Sequence, residues 1–253
     1  MGVFFPVFSP TGWPTTDPNV NWGAVNVVVD VHIALLAEPM FWFLHMINCN
    51  LVRINRADYK GNNMKLRMSL VDGWFGEFYP TVKEHILNLD YKDEVDPKEH
   101  ITYEGIGRVD QMVIDYCQGR LQELFCKPVK INLGFMRRNE ETRKIPGAVH
   151  TDSVQGQYNL IIYFNNVGGT SVLAHAETGM HYEPANDEDK AIFYRDKYEY
   201  GAWTPLTFAP AIEDLACIID SGLLHRAEPP TGFGVGKDAR HVLVIFFDVL
   251  DTQ

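Results

Sequence analysis

The sequence predicts an α+β fold, with a mixed helix-and-strand N-terminal half and an antiparallel, all-β C-terminal half closed as a sandwich or barrel. Three observations carry this expectation. Residues 107–125 place apolar side chains at three- and four-residue steps, the period of a helix packed along one face. After Pro128 the period changes to alternation, as in a strand. From there to the C-terminus, short apolar runs are separated by Gly, Pro and Asn turns, which marks an antiparallel unit. No loose linker divides the chain near residue 128. One domain is therefore expected over 1–253, with 1–128 as a mixed support region and 129–253 as the β core.

The elements follow in order. The first twenty-odd residues, rich in Pro, Thr, Asn and Trp, read as irregular chain. Val25–Val31, Leu51–Ile54 and Lys65–Leu70 read as strands. Pro80–Leu89 reads as a short helix with proline in its first turn. In the 107–125 helix the buried face is expected to hold Val109, Met112, Val113, Tyr116, Leu121 and Leu124, and Pro128 ends the helix. Val129–Met136, Gln157–Phe164, Ser171–Ala174, Ala216–Asp220 and His241–Asp248 read as strands, with a turn over Asn165–Gly169. The stretch from His175 to Pro205, about thirty residues, is long for a plain connection and reads as a lid or binding loop, or else as a solvated excursion. Its acids Glu183, Asp187, Glu188 and Asp189 favour a cationic or polar ligand over a phosphate.

Composition narrows the class. Of 253 residues, 46% are hydrophobic and 22% charged, which excludes disordered and fibrous chains. Lys plus Arg is 22 against 33 Asp plus Glu, a net charge of −11, so general nucleic-acid binding is not expected. The basic group Arg137, Arg138, Arg143 and Lys144 either attracts an anionic substrate or is solvated. Cys49, Cys117, Cys126 and Cys217 form no C-x-x-C pair and lie in apolar surroundings, so buried thiols in a reducing cytoplasm are expected. The most apolar stretch, Val25–Ile47, contains Asp30, His32, Glu38, Pro39 and His45, so no membrane span is expected.

One histidine has a partner close in sequence: His150-Thr151-Asp152. Two residues apart on a strand point to the same side, so an imidazole and a carboxylate can share an ion. A second histidine would complete a facial set of two imidazoles and one carboxylate, which leaves positions open on Fe(II). Alone, H-x-D also fits a plain surface turn. Downstream, the apolar run Leu215–Asp220 leads through a turn to His225, and Arg240 heads the strand His241–Phe247. A guanidinium at a barrel mouth suits a ligand carboxylate, or pairs as a rim residue with Asp238 or Asp248.

This order of motifs resembles the Fe(II)/2-oxoglutarate-dependent dioxygenases, and most closely their prolyl 4-hydroxylase-like branch. The residues that carry the resemblance are Pro146–Asp152, the strand ending Tyr163-Phe164-Asn165, the turn Gly168-Gly169-Thr170, His225 and Arg240. It covers roughly residues 130–248. It implies a double-stranded β-helix, or jelly roll, with Fe(II) bound by His150, Asp152 and His225. It also implies O2 and 2-oxoglutarate as co-substrates, with Arg240 on the distal carboxylate of 2-oxoglutarate and decarboxylation to succinate coupled to hydroxylation of a small-molecule or peptide substrate. Tyr163 and Asn159, four apart on one strand, are the candidates to help hold the co-substrate, or Tyr158 if the register is reversed. Ser153, Gln155 and Gln157 are candidates to brace the ligands. Two departures stand out. The Gly-Gly-Thr turn lacks the usual acid, and the interval from His225 to Arg240 is longer than usual. The alternatives are a cupin-type metal enzyme that does not use 2-oxoglutarate, and a non-catalytic jelly roll.

Overall fold

The computed structural model describes residues 51–53, 68–95, 102–140, 147–229 and 233–251. The expected strand Val25–Val31, the apolar stretch to Ile47, Cys49, Arg143, Lys144 and Pro146 lie outside the described residues. The strands are β1 (Leu51–Arg53), β2 (Met68–Val71), β3 (Lys92–Val95), β4 (Thr102–Gly107), β5 (Val129–Asn139), β6 (Tyr158–Tyr163), β7 (Gly169–His175), β8 (Trp203–Pro210), β9 (Ala216–Asp220), β10 (His225–Glu228) and β11 (Arg240–Val249). Among the described residues three α-helices join them: α1 (Tyr79–Leu87), α2 (Gln111–Phe125) and α3 (Asp187–Asp196).

All pairings among the described strands are antiparallel. They build an eight-stranded sheet in the order β1-β2-β9-β6-β11-β5-β4-β3 and a three-stranded sheet in the order β10-β7-β8. From β5 onward the chain passes repeatedly between the sheets: β6, β9 and β11 return to the large one, while β7, β8 and β10 belong to the small one. β6 shows why the large sheet is covered on both faces. Leu160, Ile162 and Phe164 point to the helices, while Ile161 and Tyr163 point to the small sheet. Such a strand reads as one apolar run rather than an alternation.

The helix layer packs Ile86 of α1 and Val113, Cys117 and Leu121 of α2 against Leu160, Leu243, Ile245 and Phe247. The inter-sheet core joins Tyr163, Cys217, Ile219 and Val242 to Val172 and Ala209. Beyond the small sheet, Phe193 of α3 packs on a cluster of Val149, Leu173, Trp203 and Leu224. No helix among the described residues is long and apolar enough to cross a membrane.

Several expectations change. The second helix begins at Gln111, not near residue 107, because Ile106 and Gly107 are drawn into β4 and pair with Arg137 and Met136. Its buried line is Val113, Cys117 and Leu121, one turn apart, and Met112 beside that line is 76% exposed. The helix ends at Cys126, which adopts the left-handed conformation at φ 51° and is exposed rather than buried. The 175–205 stretch is largely ordered by α3. Asn186 caps this helix by accepting from the Asp189 amide at 2.9 Å, and Asp187, Glu188 and Asp189 fill its first turn, where acids suit the helix dipole.

Candidate metal and co-substrate site

His150 and His225 meet because their backbones do. Each amide donates to the other's carbonyl at 3.0 Å, forming a single antiparallel bridge at the edge of the small sheet. Side chains of such a directly opposed pair project to one face, and the two rings lie 4.4 Å apart between centroids. Asp152 is not on a strand. A turn places it, with its amide donating to the Ser221 carbonyl and its own carbonyl accepting from the Gln155 amide, both at 2.8 Å.

The three side chains converge. Asp152 Oδ2 lies 3.1 Å from His225 Nε2, and Asp152 Oδ1 lies 3.8 Å from His150 Nε2. All three ligand atoms fall within 4.8 Å of one another. Atoms bound to one ion at about 2.1 Å are separated by about 3 Å at right angles and about 4.2 Å in line, so the cluster needs little adjustment to take an ion. The tautomers fit as well. His150 Nδ1 faces the Ala148 carbonyl at 3.0 Å and His225 Nδ1 faces the Leu223 carbonyl at 2.9 Å. A proton on each Nδ1 leaves each Nε2 lone pair directed into the cluster.

The electrostatics of the cluster favour a cation. Burial raises Asp152, but His225, His150 and the Asn159 amide outweigh it and hold the carboxyl down at about 2. Burial pushes His225 down, yet the Asp152 charge and hydrogen bond win and raise it. His150 keeps 46% of its side chain open, but loss of solvent on its inner side, with His225 and Arg137 nearby, lowers it to about 4.

Asn159 is buried on β6, and its amide donates to Asp152 Oδ2 at 2.8 Å. The structure gives it Asp152 as its partner, where the sequence pointed to the co-substrate. Of the bracing residues expected, Gln155 contributes only its backbone, and Gln157 accepts from the Val249 amide instead. Tyr158 settles the register: it stacks on Phe247, centroids 5.4 Å apart, on the helix side, so Tyr163 faces inward.

Arg240 is buried rather than a rim residue. It donates to Asn139 Oδ1 at 2.9 Å, to Thr170 Oγ1 at 3.2 Å and to the Gly169 carbonyl at 3.3 Å. Its guanidinium carbon lies 5.6 Å from the Tyr163 ring centroid and 5.7 Å from that of Phe233. The Tyr163 hydroxyl donates to Thr170 Oγ1 at 2.8 Å. Asn139 and Phe233 were missed from sequence, and Thr170 was read only as part of a turn. Asn139 sits directly opposite Arg240 in the β5–β11 register, which only the pairing reveals. Arg226 points away from the site and pairs with Glu228 at 2.6 Å. Other described histidines have structural partners: His175 bonds Asp196 and Thr178, His85 pairs with Asp110, and His241 bonds the Ala239 carbonyl.

No family model matches the chain, and no curated protein matches it by sequence. Among solved structures it is similar to an oxidoreductase of the 2OG-Fe(II) oxygenase family from Burkholderia pseudomallei, with 10% identity, 71% of this chain and 84% of that one covered, and a TM-score of 0.46. It is also similar to HygX from Streptomyces hygroscopicus, crystallised with nickel and 2-oxoglutarate, with 12% identity, 72% and 82% covered, and a TM-score of 0.42. A third is EctD from S. alaskensis with bound Fe, with 9% identity, 77% and 80% covered, and a TM-score of 0.43. At this distance the site is read from its own residues.

Proposed function

We propose that the chain is an Fe(II)- and 2-oxoglutarate-dependent oxygenase that hydroxylates a small-molecule or peptide substrate, with its two sheets forming a double-stranded β-helix of the prolyl 4-hydroxylase-like kind. One observation carries the reading. Two imidazoles with their Nδ1 atoms committed to carbonyls, and one carboxylate held ionised, converge within reach of the charge of the buried Arg240 on β11, which acts on His225. Iron bound there would supply the activation of O2 that couples decarboxylation of 2-oxoglutarate to oxidation of the substrate.

The chain's own residues do the positioning. His150, Asp152 and His225 would hold the ion on one face and leave the other side open. The carbonyls of Ala148 and Leu223 fix the two rings, and Asn159 fixes the carboxylate. Arg240 would take the distal carboxylate of 2-oxoglutarate. Its guanidinium is kept in place by Asn139 and Thr170 and lies beside the Tyr163 and Phe233 rings, in a buried setting that strengthens such a pair. Tyr163, through Thr170, keeps that anchor aligned.

The test is succinate formation from 2-oxoglutarate with Fe(II) and O2. The wild type should form it, His225→Ala should not, and Arg240→Ala should raise the 2-oxoglutarate requirement. An Arg240→Ala variant with unchanged affinity would favour a cupin-type enzyme. No succinate from folded, metal-loaded wild type would favour a non-catalytic jelly roll.

A further inference from the structure

A cleft of about 360 Å³ lies at the end of the large sheet, lined by residues 153–157, by Tyr182, Asp220 and Gly222, and by Asn132 and Asp248. Strand register fixes its place relative to the candidate metal cluster. Arg240 begins β11 and reaches Gly169 and Thr170. Further along β11, Phe246 lies opposite Asn159, whose amide bonds Asp152. Beyond that level Asp248 accepts from the Gln157 amide and from the Asn132 side chain, both at 2.9 Å. β7 gives the same order, since Val172, past Gly169 and Thr170, lies opposite His225. The cleft is therefore on the far side of the metal cluster from the Arg240 anchor. Asp152 joins the two. Ser153 follows it in the chain, and its amide donates at 2.8 Å to the carbonyl of Ser221, which stands between Asp220 and Gly222. With 2-oxoglutarate on the Arg240 side, as in the proposed function on which this step rests, the cleft is the space left for the primary substrate.

Its chemistry selects a class of ligand. No Lys, Arg or His lines the cleft, and neither Asp220 nor Asp248 has an ion-pair partner among the described residues. A ferrous ion, Asp152, Arg240 and doubly anionic 2-oxoglutarate balance when both imidazoles are neutral. The two further carboxylates then draw a cation and repel an anion. Asp220 Oδ1 accepts from the Tyr182 hydroxyl at 2.7 Å and from the Gly222 amide at 3.0 Å, which leaves Oδ2 without a bond to any described residue. A Cβ on Gly222 would strike the Tyr182 ring, so the glycine is what lets that ring cross the turn to Asp220. The boundary with the metal cluster adds two acceptors. Ser221 donates its amide to the Gln157 carbonyl at 3.1 Å and so extends the β9–β6 ladder, which puts its side chain on the inner face with Ile219 and Asn159. Ser221 Oγ and Asn159 Oδ1 are buried with no hydrogen-bond partner among the described residues, a cost that a ligand carrying N–H or O–H donors removes. An ammonium group is a compact charge with three donors and suits one open carboxylate oxygen, where a guanidinium fork needs two.

We propose that this cleft is the primary-substrate subsite and that Asp220 receives an ammonium group of the substrate there. The experiment uses the full chain loaded with Zn(II) and saturated with 2-oxoglutarate, and reads binding by ligand-observed NMR. Pentylamine is compared with pentanol, and N-acetyl-lysine methylamide with N-acetyl-norleucine methylamide. At least one amine should bind about tenfold or more tighter than its neutral partner. Preference in the first pair alone marks a small free amine, and preference in the second marks a lysine side chain; both support the subsite. Replacing Zn(II) by paramagnetic Mn(II) should speed the relaxation of the bound amine, because the cleft adjoins Asp152. Asp220→Asn keeps an acceptor for Tyr182 and Gly222 and removes the charge. The preference should vanish in this variant, with Zn(II) and 2-oxoglutarate affinities within about threefold of wild type. Wild type that prefers neither amine overturns the proposal, as does a preference that survives Asp220→Asn. An amine whose relaxation Mn(II) leaves unchanged also overturns it, because the amine would then sit elsewhere on an acidic surface. The two wild-type readings stand whether or not the variant folds. Failure of wild type to bind metal and 2-oxoglutarate at all is a different result, and it removes the proposed function together with this inference.

Discussion

Metal uptake should release one proton in mildly acidic solution, and the structure says which one. Asp152 is held down to about 2 and His150 to about 4, so above pH 4 both already have the form that binds a cation. His225 differs, because Asp152 outweighs burial and raises it above its ordinary 6.5. Below that raised value an incoming metal must displace the His225 proton. Apparent affinity should therefore fall by about tenfold for each pH unit below it and level off above it. Under pH 4 the His150 proton joins in and the slope doubles. Calorimetric titration with Ni(II) in two buffers of different ionisation enthalpy counts the protons. One is expected at pH 5, and none well above the raised value. Asp152→Asn removes the charge that raises His225, so the count at pH 6 should drop toward zero as affinity collapses. Two protons released at pH 5 would mean that His150 titrates like a solvated imidazole. None at pH 5 would mean that His225 is not held charged by Asp152. Either result would refute the electrostatic account of the cluster.

Three further outcomes follow from the packing. Asn159→Ala removes the amide that donates to Asp152 Oδ2, and Ni(II) affinity should drop by about 10- to 100-fold in equilibrium titrations. Arg240→Gln should weaken 2-oxoglutarate binding to the Ni(II)-loaded protein by at least about tenfold, measured by calorimetry. Leu160, fully buried between β6 and the helices, should cost about 3 to 5 kcal/mol when replaced by Ala, read from urea unfolding.

What the sequence could and could not reveal follows from where the information lies. His150, Asp152 and His225 were legible because the motif order kept all three. The reason given for the first pair was incomplete. His150 and Asp152 converge through a reciprocal bridge to His225 and a turn at Asp152, not through strand alternation. Strands buried on both faces, such as β6, β9 and β11, read clearly as apolar runs. β8 was missed because Pro205 and Pro210 argue against a strand, yet it is the edge of the small sheet, where proline is tolerated. β3 and β4 were missed, because β3 and the first half of β4 are exposed near the edge of the large sheet and carry no inward apolar pattern. α3 has no buried residue and so shows no stripe. The partner of Asn159 was hidden because a side chain that bonds a nearby carboxylate looks, in one dimension, like one that touches a co-substrate. Only the distance to Asp152 separates them.

In the proposed function one ion and one keto-diacid meet at His150, Asp152 and His225 under the reach of Arg240. Anaerobic addition of Fe(II) and then 2-oxoglutarate tests it most directly, read as visible absorption. A weak charge-transfer band should appear, saturate with one equivalent of Fe(II), disappear in Asp152→Ala and need more 2-oxoglutarate in Arg240→Gln. A folded protein that gives no band, or one whose band survives Asp152→Ala, would contradict it.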